Sequence, residues 1–251
     1  MNKFNKIQSH YNSVSASYND FFSDSYMQWV TDLIVKLLCL HPDDIVADIG
    51  GGTGSVSHLV FEKAGLKNKV LCVDPSDSML AEAGKLKGVK TLCLDAHSFA
   101  EDKSDKYDKI LVNGAVHHFA DRILLWNRLS KQMNKNGRLL IITRPETPFL
   151  PFFKAALTTF STGQPASELL AAELEEAGFQ AEVAVHSYSV NFEKNRWYYL
   201  LRSRFMSNLH DFTDDEIEDG IAELEQVYSG KNIIRLRDDF IFIMGILGRT
   251  Y

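Results

Sequence analysis

The stretch that most constrains this chain is Val46-Ala47-Asp48-Ile49-Gly50-Gly51-Gly52-Thr53-Gly54-Ser55. An apolar run from Ile45 to Ile49 takes in one acid and stops at a glycine-rich turn. A helical pattern follows at once, with Val56, Leu59, Val60 and Ala64 on one face. The segment reads as strand, tight turn, helix. Glycines suit a sharp turn and the close approach of a ligand to the backbone. The N–H groups that open the next helix favour an electronegative partner.

Two glycine fingerprints compete for this turn. The dinucleotide pattern G-x-G-x-x-G needs a third glycine so that helix and strand can pack closely. Counted from Gly50 that position is Ser55, and counted from Gly52 it is Ser57. The pattern D-x-G-x-G-x-G is complete in Asp48, Gly50, Gly52 and Gly54. In this the chain resembles the first motif of the class I S-adenosylmethionine-dependent methyltransferases, small-molecule type. A nicotinamide-dependent oxidoreductase is the rival that Ser55 disfavours. A cofactor-binding regulatory protein without turnover is a second alternative.

Composition narrows the partners. The chain has 251 residues, 45% of them hydrophobic, which suits one large domain with a full core. Its 33 acids exceed its 27 bases, giving a net charge of −6. A nucleic-acid partner would call for a basic excess or stripe, so none is expected. No apolar run reaches the length of a membrane span. The amino-terminal residues lack the apolar core of a secretory signal, so a cytoplasmic protein is expected. Cys39, Cys72 and Cys93 lie in apolar runs, are odd in number and form no C-x-x-C. They are expected to be reduced, buried thiols, and no metal site is expected.

Taken in order, residues 3 to 40 look helical and are dense in aromatics: Tyr11, Tyr18, Phe21, Phe22, Tyr26 and Trp29. The resemblance implies a lid over the cofactor, with Tyr11 and Tyr18 enclosing it. The bare alternative is that these rings pack on the sheet. Lys69 to Asp74 is a second strand ending in an acid about twenty residues beyond the glycines. Such a carboxylate can accept both ribose hydroxyls. Asp74-Pro75-Ser76 equally suits a helix cap. Met79, one turn into that helix, is either an adenine contact or core.

The third strand, Lys90 to Leu94, leads into Asp95-Ala96-His97. The resemblance assigns the adenine amino group to Asp95 and its ring to the Ala96 N–H, where an ordinary cap is the alternative for the acid. The fourth, Tyr107 to Val112, leads to Asn113-Gly114-Ala115-Val116-His117-His118-Phe119. That loop is similar to one in small-molecule methyltransferases carrying a His-Phe or His-Trp pair, and Asn113 joins the cofactor set. His117 and His118 are the base candidates, one of them as readily a pocket wall. Leu139 to Thr143 forms the fifth strand and is followed by Arg144.

Strands alternating with helices argue for an α/β, doubly wound, mostly parallel sheet, whose ligands bind beyond the carboxyl ends of the strands. The resemblance completes seven strands with a final antiparallel pair. A helix over Arg196 to Leu209 and a capping box at Thr213 to Glu216 interrupt that pair as a helical cap. Tyr198, Arg202 and Met206 would share a helix face bordering the acceptor, while Trp197, Leu201 and Phe205 pack on the domain. Arg144 and Arg202 are candidates for a substrate carboxylate, with a salt bridge to the acids between Asp211 and Glu225 as the alternative for Arg202. The expected organisation is one domain over 1–251: lid 1–42, core 43–192, cap 193–234 and final strand 235–251. The expected activity is methyl transfer from S-adenosylmethionine to a small-molecule acceptor by direct displacement. The nature of the accepting atom and the oligomeric state are left open.

Overall fold

The computed structural model describes Ser9, Tyr11, residues 23–101 and residues 106–248. A seven-stranded sheet forms in the order β3-β2-β1-β4-β5-β7-β6. Its strands are β1 (Val46–Ile49), β2 (Val70–Asp74), β3 (Val89–Cys93), β4 (Tyr107–Asn113), β5 (Met133–Thr143), β6 (Phe179–Glu193) and β7 (Ile233–Leu247). Strands β1 to β5 are parallel, and β7 runs antiparallel to both β5 and β6. The chain reverses its direction of travel across the sheet between β1 and β4, so a crevice opens beyond their carboxyl ends.

Both faces of the sheet are covered. On one lie α1 (Asp24–Leu38) and α2 (Ser55–Ala64). Val30, Ile34 and Leu38 meet Val46, Leu140, Phe240 and Phe242 there. The other face carries α4 (Ala96–Glu101), α5 (Arg122–Gln132) and α7 (Ser167–Glu176), which bury Phe99, Trp126 and Leu170 on Ile110 and Ile141. The short α3 (Asp77–Ala83) closes the β2–β3 end through Leu80 and Ala83. Alternation of apolar side chains along the central strands is replaced by near-continuous apolar runs because both faces are buried.

The expected lid over 1–42 is corrected in its second half. Helix α1 packs on the sheet, and Trp29 lies against Tyr26, Tyr188 and Phe240 with ring centroids 5.2–6.1 Å away. Tyr18, Phe21 and Phe22 lie outside the described residues. The thiol expectation also changes: Cys72 is buried, whereas Cys39 and Cys93 are exposed.

The cap differs more. Strand β7 pairs with β5 only through Ile241 to Ile246, while it pairs with β6 along its whole length. Residues 186–193 and 233–240 thus form a two-stranded arm beyond the end of β5. The final strand begins at Ile233, not at residue 235, and the cap proper occupies 194–232. It contains α8 (Lys194–Arg202) and α9 (Asp214–Val227). The expected single helix from Arg196 to Leu209 breaks after Arg202. Arg204 adopts φ 49°, and the N–H groups of Arg204 and Phe205 return to the carbonyls of Leu201 and Leu200. A left-handed arginine costs about 1–2 kcal/mol. Its guanidinium offsets this by donating to the Phe212 carbonyl and to Asp214.

Trp197, Leu201 and Phe205 are buried, as expected of residues packing on the domain, but not against the sheet. They form a separate core with Leu150, Phe152, Phe153 and Phe160, residues in or just before α6 (Lys154–Gly163). The Trp197 indole N–H donates to the Pro151 carbonyl at 2.8 Å. The cap is therefore built from two stretches of chain, and the first of them follows β5.

Candidate functional site

The glycine turn joins β1 to α2, and each glycine has its own reason. A side chain on Gly50 would place its Cβ 2.4 Å from the Ala115 Cβ, and one on Gly54 would meet Ala83 at 2.7 Å. Gly51 is confined by Cys72 Sγ and the Asp48 carboxylate. Gly52 is different: φ is +55° and nothing among the described residues lies within 4 Å of where its Cβ would be. Three glycines let protein pack on protein, and the fourth leaves a cradle.

Two acids meet the glycine turn, Asp74 at Gly52 and Asp48 beside Gly51. Asp74 ends β2 and accepts the Gly52 N–H on Oδ2 at 3.0 Å and the Ser76 N–H on Oδ1 at 2.9 Å. Burial raises its pKa, a rise that these two N–H groups moderate. Asp74 thus fixes the glycine turn against β2. The cap reading is only partly realised, because Ser76, not Asp74, caps α3 by accepting the Met79 N–H.

Asp48 is 2% exposed at the centre of the sheet. Its Oδ2 accepts the Ser57 hydroxyl at 2.6 Å, while Oδ1 finds no hydrogen-bond partner among the described residues. Burial pushes its pKa up to about 6, the Ser57 bond opposes this, and the Asp74 charge adds to it. The Cys72 thiol between these acids is driven up by burial and by their charge, which keeps it protonated. Ser57 escaped the sequence reading; it lies one turn past the glycines on the face of α2 that meets β1.

Asp95 is engaged as a cap. Oδ1 accepts the N–H groups of His97 and Ser98, and Oδ2 accepts the Ser98 hydroxyl at 2.6 Å. Burial would raise its pKa, but the Ser98 and His97 bonds outweigh this and hold it low. A carboxylate has about four acceptor positions, so three are used. Ala96 and Met79 are buried in the first turns of α4 and α3.

Asn113 ends β4, and Gly114 turns the chain at φ +69° into a short 3-10 turn over Val116–His118. The two histidine rings stand 3.9 Å apart. His118 Nε2 lies 3.4 Å from the Tyr11 hydroxyl. Tyr11 is also within hydrogen-bond reach of Ser207 and feels the Asp74 charge. Burial raises its pKa to about 12, so the phenol stays protonated. One tyrosine thus joins the amino-terminal segment, the β4 loop and the cap. Ser207 gave no sequence signal, because only the fold brings residue 207 to residue 11.

The assignment of Arg144 to a substrate carboxylate is corrected, while Arg202 takes the alternative given for it, a salt bridge to an acid between Asp211 and Glu225. Arg144 donates from Nε and Nη2 to both oxygens of Asp238, at 3.0 and 2.8 Å, and lies over the Phe240 ring. Arg202 is forked onto Glu218 at 2.6 and 2.7 Å. Both guanidinium forks are already filled by carboxylates of the chain. Tyr198 is buried in the cap core with its hydroxyl on Glu225, and Met206 lies past the helix end. These residues do not form the expected helix face. Among the described residues no cluster suits a metal ion, and no helix is long and apolar enough to cross a membrane.

Residues 47–139 match the model of a methyltransferase domain. A ubiquinone/menaquinone biosynthesis C-methyltransferase, UbiE, of Teredinibacter turnerae is 25% identical over 160 residues, which cover 59% of this chain and 64% of that protein. The chain thus matches less than two thirds of the length of that relative. A putative methyltransferase from an antibiotic biosynthesis pathway of Anabaena variabilis superposes with TM-score 0.64 at 19% identity, over 85% of this chain and 96% of that one. The cyclopropane synthase MmaA2 of Mycobacterium tuberculosis gives 0.62 at 16%, over 97% and 98%. Sheet order, glycine cradle and strand-end acids define a Rossmann-like methyltransferase fold. Residues 47–139 thus match a methyltransferase domain within that fold, and the chain is similar to S-adenosylmethionine-dependent methyltransferases.

Proposed function

We propose that this chain transfers the methyl group of S-adenosylmethionine to a small-molecule acceptor by direct displacement, leaving S-adenosylhomocysteine. The observation that carries the reading is the cradle at Gly52, open among the described residues where a side chain would be, with the Asp74 carboxylate held on the Gly52 N–H. A ligand with hydroxyl donors fits that setting, since a carboxylate can accept further hydrogen bonds.

When bound, the cofactor supplies an electrophilic methyl on a sulfonium leaving group, so alignment is the main task of the protein. In this reading Asp74 receives the ribose hydroxyls, and Asp95 and Ala96 border the adenine with Met79. The turn from Asn113 to His118 forms the opposite wall. His118 Nε2, shared with the Tyr11 hydroxyl, is the atom suited to take a proton from an acceptor. His117 shapes the wall beside it. The cap over the arm encloses the acceptor. A cytoplasmic enzyme without a nucleic-acid partner belongs to the same proposal, supported by the net charge of −6 and three free cysteines.

Calorimetry with S-adenosylmethionine, S-adenosylhomocysteine and NADH tests the cofactor; binding of NADH alone would overturn the reading. A screen of small metabolites with labelled cofactor tests turnover. Carbon acceptors enter it beside amines, thiols and hydroxyls, because the relative is named a C-methyltransferase. Tight binding with no methyl release to any acceptor would favour a regulatory binder instead.

A further inference from the structure

Strand β6 is the outermost strand of the sheet and pairs with β7 over fifteen residues without a break in register. Exposed edges are usually blunted by lysines, prolines, bulges or shortness. Residues 179–193 contain no lysine, arginine or proline. Glu182, Val183, Ala184 and Val185 are all exposed, Val183 at 46% and Val185 at 60%. Helix α7 covers the start of the strand through Phe179, and Ser25 and Tyr26 of α1 meet Tyr188 further on. Among the described residues the four between have no such cover.

We infer that β6 pairs antiparallel with β6 of a second copy, about a twofold axis through Ala184, to make one continuous sheet. An axis perpendicular to the sheet keeps the α1 face of one copy beside the α1 face of the other. It therefore pairs residues of equal parity, because neighbours across an antiparallel pair share a face. With Ala184 on the axis, Val183 meets Val185 of the other copy, twice, on the face of Ile243 and Ile241. On the α1 face, Glu182 meets His186 of the other copy, twice, an acid against an imidazole.

Other centres are poorer. An axis at Val183 sets Glu182 against Ala184 and leaves the acid unmatched. An axis at Val185 sets Ala184 against His186 and Val183 against Ser187, and keeps one valine pair, Val185 on itself, in place of two. Cross-strand pairs of matched apolar or opposite polar character contribute about 0.2–1 kcal/mol each, and mismatches forfeit that. The self-complementary register is what commits the edge to a second copy, because an unrelated strand would have to reproduce it.

Sedimentation velocity on the full chain tests this, and should show a dimer. Val185→Lys should give a monomer with an unchanged melting curve, since the side chain is exposed in the single chain. In a Cys39→Ser, Cys93→Ser background, Ala184→Cys should cross-link to itself on mild oxidation, because residue 184 faces its own copy. A wild-type monomer at about 100 μM would overturn the inference. So would a dimer that tolerates Val185→Lys or leaves Ala184→Cys uncross-linked.

Discussion

The buried carboxylate of Asp48 makes stability depend on pH in a direction opposite to that of most acids. Its pKa rises from 3.8 in the unfolded chain to about 6 in the fold, because burial removes water and Ser57 supplies only one donor. The folded protein therefore binds the proton more tightly than the unfolded one. The stabilisation is fully present below pH 3.8 and is lost as pH rises through 6. A rise of about two pH units, at about 1.4 kcal/mol each, gives about 3 kcal/mol in all. Roughly half of it, about 1.4 kcal/mol, appears between pH 7.5 and pH 5 by the linkage relation. Asp48→Asn keeps the shape and removes the titration. Its amide carries a constant cost or gain, which cancels when stabilities are compared across pH. Urea unfolding of both ligand-free proteins from pH 7.5 to 5 should therefore show wild type gaining about 1.4 kcal/mol relative to Asp48→Asn. Parallel stability curves would refute the buried, under-solvated carboxylate.

Asp74→Ala should weaken S-adenosylmethionine binding by about 1.5–3 kcal/mol, the range for hydrogen bonds to a charged group, as read by calorimetry; unchanged affinity would remove Asp74 from the site. Gly52→Val should leave native-like circular dichroism yet abolish cofactor binding. Gly50→Val should instead destabilise the fold, since its Cβ would lie 2.4 Å from Ala115. Arg202→Ala should leave the Michaelis constants for cofactor and acceptor unchanged, because its fork is held by Glu218 on an exposed helix pair. Trp197→Ala should cost about 3–5 kcal/mol as a large core truncation. Because the cap has its own core, hydrogen exchange should rise there first and leave β1 to β5 protected.

The local sequence determined the fold class and the strand ends at which the candidate site lies. Apolar runs of strand length, each followed by an acid or glycine, mark strand ends whatever surrounds them. The sheet then brings those ends together, because parallel strands share one carboxyl edge. Asp48, Gly52 and Asp74 were legible for that reason. Contacts between distant segments decided the rest. Nothing local distinguishes Gly52, whose Cβ position is open among the described residues, from Gly50, which is pressed on Ala115. Arg144 reads as a free fork because its partner, Asp238, lies 94 residues away, whereas the partner of Arg202, Glu218, lies only 16 residues on, among the acids the sequence offered it. The helix after Arg196 has strong local periodicity, yet Arg204 turns left-handed because the Phe212 carbonyl and Asp214 hold its guanidinium. The meeting of Tyr11, His118 and Ser207 exists only once the cap and the β4 loop have been placed by separate cores. Periodicity and turn chemistry act over a few residues, so they fix elements and their ends. Which side chain fills which charge, and which glycine stays open, depends on neighbours that only the packed chain supplies.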